Sequence, residues 1–133
     1  MSSLHPRLTP ENAFFWTSGS DEVLRFQRCG GCQLHVHPPQ PRCPRCLGED
    51  LVPQPVSGRA RVLARTVNHH QWHPDFPPPY LLAIVGLEDA PEVRLTTRIV
   101  DCEPESVAIG DLVSVVFHRQ GPAWLPFFAP VVQ

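Results

Sequence analysis

Two Cys-x-x-Cys pairs constrain the folding of this chain more than any other feature. Cys29 and Cys32 form the first pair and Cys43 and Cys46 the second, with ten residues between the pairs. Two thiolates three positions apart on a tight turn can face one cation, and two such turns complete a tetrahedral sulfur site. In a reducing compartment such pairs are more often metal ligands than disulfides. The pattern therefore predicts a closed, structural four-cysteine site, with Zn²⁺ favoured and iron as the alternative.

The residues around the cysteines suit this interpretation. Gly30, Gly31 and Gly48 permit a positive φ, which would let backbone N–H groups turn toward the sulfurs. A dithiol redox couple would instead need a thioredoxin-like βαβ setting, which the sequence lacks. Four thiolates and one divalent cation leave a formal charge of −2, and three flanking arginines can offset it: Arg28, Arg42 and Arg45.

An aromatic segment precedes the cysteines. Residues 9–19, TPENAFFWTSG, predict one short helix, with Thr9 as its N-cap and Gly19 at its end. Three consecutive aromatic residues would spread over much of its circumference: Phe14, Phe15 and Trp16. Either the helix packs them against the core of the chain, or part of the cluster contacts a partner protein, because clustered aromatic side chains mark interfaces.

The rest of the chain predicts strands. Seventeen prolines in 133 residues exceed twice the usual frequency of about 5%, and proline breaks helix interiors. In the cysteine unit we expect strands at residues 23–28 and 34–36, and a third near 51–56 that Pro53 and Pro55 break. Five more strands are expected at residues 59–66, 80–87, 93–100, 112–118 and 127–132.

Two of these strands show the alternation of a half-buried strand. One side is predicted to hold Ala60, Val62, Ala64 and Thr66 in the first, and Val93, Leu95, Thr97 and Ile99 in the other. Five strands with no room for crossover helices indicate a small closed barrel such as an oligonucleotide/oligosaccharide-binding (OB) fold. The predicted fold is mainly β, with a helical segment at 1–22, a rubredoxin-like zinc ribbon at 23–56 and a five-stranded OB barrel at 57–133.

Charge argues against the function that zinc ribbons and OB barrels often share, nucleic-acid binding. The net charge is −2, and residues 56–133 hold six arginines against eight acidic residues, whereas a backbone-binding groove needs a basic surplus. A local patch could still meet an acidic partner or a phosphate-bearing small molecule: Arg59, Arg61, Arg65, Arg94 and Arg98. No apolar run reaches the roughly 18 residues of a membrane span and no secretory signal is present, so we expect a cytoplasmic protein.

The histidines and the fifth cysteine give little indication of a second functional site. His35 and His37 are expected to be surface or packing residues, since four cysteines already complete the metal site. His69 and His73 would form a metal pair only on a helix, and the prolines around them predict a loop. Cys102 lies between two acids, which disfavour its thiolate. No nucleophile elbow, phosphate loop or dinucleotide fingerprint occurs, so no catalytic residue is predicted.

Several longer stretches carry a resemblance to a known family: VLRFQRCGGCQLHVHPPQPRCPRC (23–46), GRARVLARTVNH (58–69), PPYLLAIVGLE (78–88), VRLTTRIV (93–100), GDLVSVVF (110–117) and WLPFFAPV (124–131). The chain resembles small proteins that join a rubredoxin-like zinc ribbon to an OB fold and accompany thiolase-superfamily enzymes. It is most similar to the C-terminal domain of the steroid enoyl-CoA hydratase α-chain, which pairs with a lipid-transfer-protein-like aldolase of thiolase fold.

The resemblance implies a role without chemistry of its own. The chain would dock on and stabilise an aldolase that cleaves a steroid side-chain acyl-CoA by a retro-aldol reaction, and would help to form the acyl-CoA channel. The same role beside a true acyl-CoA thiolase is the alternative within the family, and a nucleic-acid-binding module is the alternative outside it. Whether the chain is a separate subunit or one domain of a longer protein stays open. The residues concerned are the metal ligands Cys29, Cys32, Cys43 and Cys46, and a predicted interface of Phe14, Phe15, Trp16, Trp124, Phe127 and Phe128.

Overall fold

The computed structural model describes residues 6–70 and 77–131. It shows a short helix, a three-stranded sheet and a closed five-stranded barrel, in that order along the chain. Helix α1 is Ala13–Trp16, and 3-10 helices lie at Ser18–Asp21 and Pro104–Ser106. The strands are β1 Arg25–Cys29, β2 His35–Val36, β3 Leu51–Pro55, β4 Arg59–Asn68, β5 Tyr80–Leu87, β6 Arg94–Ile99, β7 Leu112–Gln120 and β8 Ala123–Pro130. The predicted mainly β class, with helix, ribbon and barrel in this order, is confirmed.

The N-terminal helix is much shorter than the predicted 9–19. Asn12 rather than Thr9 is the N-cap of α1, although the Thr9 N–H donates to Asn12 Oδ1 (2.7 Å) and forms a turn ahead of the helix. Gly19 does not end the helix but lies in the following 3-10 helix. A Cβ at Gly19 would lie 2.6 Å from Trp124 Cβ and 2.8 Å from the Phe117 ring. Glycine is therefore needed for close approach to the barrel.

Within the described residues, none of the helices has the length and hydrophobicity that a membrane span requires.

The ribbon sheet has the order β2-β1-β3, with both pairs antiparallel. The prediction that prolines break the third strand is wrong. Strand β3 pairs with β1 over all five of its residues, with Pro53 opposite Gln27 and Pro55 opposite Arg25. An edge strand tolerates proline when the missing N–H would point away from its neighbour.

The barrel closes in the order β4-β5-β6-β8-β7, with β7 paired back to β4. All its strand pairs are antiparallel except β6–β8. The predicted inward face of β6 is confirmed, since Val93, Leu95, Thr97 and Ile99 are all buried. The core is continuous with that of the ribbon and the helix, and its fully buried members include Phe15, Phe26, Leu81, Val85 and Phe128.

Strand β4 departs from the predicted alternation at its centre. Ala60 and Val62 are buried as expected, but the pairing register with β5 shifts between Val62 and Ala64. Such a β-bulge inserts one residue and turns the following side chains to the opposite face. Ala64 and Thr66 are consequently exposed, and Arg65 is half-buried instead. The prediction that Ala64 and Thr66 share the inward side with Val62 is therefore wrong.

One short loop of the barrel holds the ribbon in place. The Glu92 carboxylate accepts hydrogen bonds from the His35 N–H (2.7 Å) and contacts the His35 ring at Nδ1 (2.5 Å). In the same loop Asp89 accepts hydrogen bonds from the N–H and hydroxyl of Ser57, each at 2.8 Å. Ser57 lies in the linker between β3 and β4. The β5–β6 loop thus fixes both the ribbon and its connection to the barrel.

Candidate metal centre and partner-facing surfaces

The structure brings the four predicted metal ligands together at one end of the ribbon. The sulfurs of Cys29, Cys32, Cys43 and Cys46 all lie within 4.8 Å of one another. Cys29 Sγ is 3.5 Å from Cys46 Sγ, and Cys32 Sγ is 3.5 Å from Cys43 Sγ. A disulfide would require about 2.05 Å, whereas a tetrahedron with metal–sulfur bonds of about 2.3 Å has edges of roughly 3.8 Å. The spacing fits a single tetrahedrally bound cation.

Two nearly identical turns position these sulfurs. The Gln33 N–H donates to the Cys29 carbonyl at 2.9 Å, and the Leu47 N–H donates to the Cys43 carbonyl at 2.9 Å. Gln33 and Leu47, each directly after the second cysteine of its pair, have φ of 67° and 64°. The left-handed backbone conformation in the two turns therefore occurs at Gln33 and Leu47. The prediction of a positive φ at the nearby glycines is wrong for Gly30, Gly31 and Gly48.

The glycines instead make room for close contacts. A Cβ at Gly30 would lie 2.1 Å from Asp50 Oδ2, and the Gly30 N–H donates to the Asp50 carbonyl at 2.8 Å. A Cβ at Gly48 would lie 3.3 Å from Cys46 Sγ. A side chain at Gly48 would press on the sulfur cluster, whereas a side chain at Gly30 would have to displace the exposed carboxylate of Asp50.

The environment favours thiolate at one of the four positions in particular. As a free thiol, Cys32 has its pKa lowered to about 6, first by the backbone N–H of Leu34 and then by Arg45. Arg45 also donates from Nη2 to the Cys32 carbonyl at 2.7 Å, which ties the second turn to the first. The Gly48 N–H lowers the pKa of Cys46, but hydrogen bonds with the other three thiols raise it to about 11. Metal binding must displace these shared protons, so affinity depends on pH.

Comparison with known proteins places this site in a family. The rubredoxin-like zinc ribbon domain model of ChsH2 matches residues 16–52, and the C-terminal OB-fold domain model of ChsH2 matches residues 53–118. The DUF35 chain of a solved structure described as "Ltp2-ChsH2(DUF35) aldolase" is 33% identical, with a TM-score of 0.86 over 96% of this chain and 100% of that chain. The chain belongs to the DUF35 family. The resemblance seen in the sequence motifs is thereby confirmed.

Two curated relatives of this DUF35 chain are named as hydratase subunits. The "Probable enoyl-CoA hydratase alpha subunit" of Thermomonospora curvata is 34% identical over 128 residues, which are 96% of this chain and 40% of the relative. The "3-oxo-4,17-pregnadiene-20-carboxyl-CoA hydratase alpha subunit" of Mycobacterium tuberculosis is 31% identical over 107 residues, 80% of this chain and 33% of the relative. The chain therefore spans well under half the length of these two relatives.

The predicted interface aromatics of the DUF35 chain separate into two groups. Phe15 and Phe128 are 2% and 0% exposed and lie in the core. We correct the interface prediction for these two residues, because they have no surface to offer a partner. The other four are half-buried and remain candidates for an interface: Phe14, Trp16, Trp124 and Phe127.

The predicted arginine patch is also divided. Arg59 lies 3.6 Å from the Glu88 carboxylate, and Arg65 donates to the Pro104 carbonyl at 2.9 Å. Arg94 and Arg98 both lie on β6, where the Arg98 guanidinium sits 5.0 Å from the centre of the Tyr80 ring. The possible histidine metal pair is not tested, because His73 lies outside the described residues.

A histidine fills the junction of helix, ribbon and barrel. The His37 ring centre is 4.6 Å from that of Phe15 and 5.1 Å from that of Phe26. Burial among these rings lowers the pKa of His37 to about 4, because an imidazolium would lose its hydration there. His37 is thus a neutral packing residue, one of the two roles expected for it, and sequence reasoning gave no reason to expect its altered pKa.

His37 should make the folded state sensitive to acid. Its folded pKa of about 4 is below the ordinary 6.5, so the unfolded chain binds the extra proton between these values. Stability is therefore fully present above pH 6.5 and falls by up to about 3 kcal/mol as the pH drops to 4. The measurement is urea unfolding across this range for wild type and His37→Asn at fixed metal concentration. Acid release of the metal affects both proteins alike, so two parallel pH curves would contradict the assignment to His37.

Proposed function

We propose that this chain is an accessory subunit of a thiolase-fold aldolase that cleaves a steroid side-chain acyl-CoA. It docks on and stabilises the catalytic partner and helps to form the acyl-CoA channel. The observation that carries this proposal is the match to the whole DUF35 chain of the Ltp2–ChsH2(DUF35) aldolase, at 33% identity and a TM-score of 0.86. A match of this extent covers both the ribbon and the barrel, so both are candidates for contact with an Ltp2-like partner.

The name of one relative supports the substrate class. A hydratase that acts on a pregnadiene-carboxyl-CoA adds water to a double bond conjugated with the thioester and produces a β-hydroxyacyl-CoA. A retro-aldol step then removes the hydroxyl proton, breaks the bond between the α and β carbons, and releases a ketone and a thioester enolate that takes up a proton. A hydratase subunit and an aldolase therefore act on consecutive intermediates.

We assign the metal as a structural Zn²⁺ held by Cys29, Cys32, Cys43 and Cys46. Four sulfurs within 4.8 Å suit tetrahedral zinc, and a closed four-sulfur site leaves no position for a reacting water. Iron in the same geometry would give a sulfur-to-iron absorption band in the visible range. Elemental analysis of freshly purified protein, with its absorption spectrum, separates the two metals.

The positions of the thiol groups support the proposed division of labour. Among the described residues, one group of three or more histidine, cysteine or acidic side chains lies close enough together to bind a metal ion. This group is the four-cysteine cluster. Cys102 is half-buried, and burial raises the pKa of its thiol, which disfavours the nucleophilic form. We assign the proton transfers of the retro-aldol step to the thiolase-fold partner, and to this chain the role of a docking surface.

Co-expression with a lipid-transfer-protein-like aldolase tests the proposal. We expect the two chains to co-purify as a hetero-oligomer, and retro-aldol cleavage of a steroid β-hydroxyacyl-CoA to require both. A parallel pull-down with a true acyl-CoA thiolase serves as the control for partner class. Cleavage by this chain alone would contradict the accessory role. Stable binding to the thiolase and not to the aldolase would favour the alternative within the family.

A further inference from the structure

Strand β6 pairs with β5 along its whole length but with β8 only at its C-terminal end. Every residue from Arg94 to Ile99 is paired with β5. On the opposite side, β6 meets β8 at a single parallel position, Ile99 with Phe128, next to which the Val100 N–H donates to the Phe128 carbonyl at 2.8 Å. Within residues 6–70 and 77–131, no further β8 pairing is present along β6. Most of this edge of β6 is therefore open.

Pro126 explains why the β6–β8 ladder stops. In a parallel ladder alternate residues of a strand bond to the same neighbour, so the next β8 residue to donate to β6 before Phe128 would be Pro126. Proline has no N–H. Its carbonyl is taken by a side chain instead, since Thr97 Oγ1 donates to it at 2.8 Å. Among the described residues, β6 and β8 make no further backbone pairing N-terminal to this point.

The open edge faces a cleft. Because the Val100 N–H points toward β8, the alternate residues Arg98, Thr96 and Arg94 direct their backbone groups to the same side. The stretch that lines the cleft, Arg94 to Thr97, is about 10 Å long at the rise of a β-strand. Beside it lies a cleft of about 560 Å³, whose walls include Trp16, His37, Pro38, Leu125 and Phe127. Two of the candidate interface aromatics thus lie opposite unpaired backbone groups.

We propose that an extended segment of the aldolase partner adds to the open edge of β6 as an extra strand. This inference rests on the proposed function and specifies how the two subunits meet. Strand addition supplies main-chain hydrogen bonds, while pockets select alternate side chains. The cleft between Trp16 and Phe127 takes an apolar side chain. Arg94 is exposed, and none of the ion pairs among the described residues includes it. It is therefore placed to select an acidic residue in the added segment.

A second copy of this chain suits the edge poorly. Antiparallel pairing of two β6 strands about Thr96 would place Arg94 of one copy opposite Arg98 of the other. Directly opposed like charges destabilise a strand pair. The edge therefore favours a different chain that carries negative charge.

Substitution at Thr96 tests the open edge directly. Thr96→Pro removes the N–H that faces the cleft and places the proline ring there, while the hydrogen bonds to β5 involve the alternate residues. Thr96→Ala retains the N–H and is the matched control. With the purified aldolase as the probe, we expect about a tenfold or greater loss of affinity for Thr96→Pro and less than about twofold for Thr96→Ala.

Charge reversal at Arg94 tests whether the added segment carries an acidic residue. Arg94→Glu is expected to weaken binding by about tenfold or more, whereas Arg59→Glu makes the same charge change on β4, outside the cleft, and is expected to have little effect. Equal losses for the two variants would show that only the overall charge matters and would overturn the role of Arg94.

Amide hydrogen exchange in the wild-type complex does not depend on any variant folding. The Thr96 amide should exchange rapidly in the free chain and at least about tenfold more slowly with the aldolase bound. Normal binding without added protection of Thr96 would overturn the inference and leave the proposed function standing. Absence of binding by wild type would overturn both. Protection of Thr96 in the free chain that disappears on deletion of residues 1–5 would assign the edge to the chain's own N-terminus and also overturn the proposal.

Discussion

Removal of the metal, or of one of its thiolates, is expected to unfold the ribbon before the barrel. Because the ribbon residues His37 and Pro38 line the cleft beside β6, binding to the proposed aldolase partner should be lost as well. The ribbon sheet consists of strands of five, two and five residues, too little structure to be stable alone. In small zinc domains metal binding supplies about 10–16 kcal/mol of apparent free energy that is coupled to folding. Loss of that contribution exceeds what the short strands can replace.

Cys43→Ser is the sharpest variant for this test because Cys43 is fully buried, and Cys102→Ser is its matched control outside the cluster. We expect Cys43→Ser to lose the metal in elemental analysis and hydrogen-exchange protection along β1, while the protection of β5 is largely retained. Chelation of the wild type should give the same pattern. Stripped protein that keeps its β1 protection and still binds the aldolase would contradict a structural role for the metal.

The sequence was sufficient to predict the cysteine cluster but not the backbone that builds it. Two Cys-x-x-Cys pairs leave few other ways to satisfy four thiols, so their meeting could be predicted from spacing alone. The positions of the left-handed backbone conformation could not be predicted. Gln33 and Leu47 adopt it to close the turn, and neither glutamine nor leucine is a residue type that indicates a positive φ. The glycines that did suggest it have no positive φ, and Gly48 instead leaves room beside the Cys46 sulfur.

In the barrel, too, the strands could be predicted from the sequence but their local backbone geometry could not. Its five strands could be predicted from alternation and turn residues, but a bulge leaves no mark in composition, so the exposure of Ala64 and Thr66 could not be foreseen. The early end of the β6–β8 ladder at Pro126 was equally hidden, because a proline is informative only once its neighbouring strand is known. The open edge of β6 is therefore a property of strand order rather than of local sequence.

The three consecutive aromatics show why helix faces need tertiary information. The sequence left two alternatives for them, core or interface: Phe15 lies in the core, and Trp16 remains a candidate for the interface. Helix α1 is a single turn, which is too short for periodicity to show which side is buried. Phe15 points into the core, and Trp16, whose ring packs edge-on against that of Phe15 at 4.8 Å, lines the cleft beside β6.

Phe15→Ala and Trp16→Ala should therefore have opposite effects. Phe15 is 2% exposed and its ring contacts those of Phe26 and His37, so truncation leaves a cavity where helix, ribbon and barrel meet. We expect a loss of about 3–5 kcal/mol in the free energy of unfolding for Phe15→Ala. Trp16 is only half-buried, so Trp16→Ala should cost less stability but weaken aldolase binding.

Urea unfolding and partner affinity, measured on both variants below their unfolding transitions, separate the two roles. Phe15 lies at the base of the same cleft with only 2% of its surface exposed, so Phe15→Ala that remains folded should lose less affinity for the aldolase than Trp16→Ala. If Phe15→Ala instead kept its stability and lost the partner, Phe15 would be an interface residue, and the packing of α1 against the junction with Phe26 and His37 would be wrong. The same pair of measurements thus tests the placement of the helix and the proposed docking cleft separately.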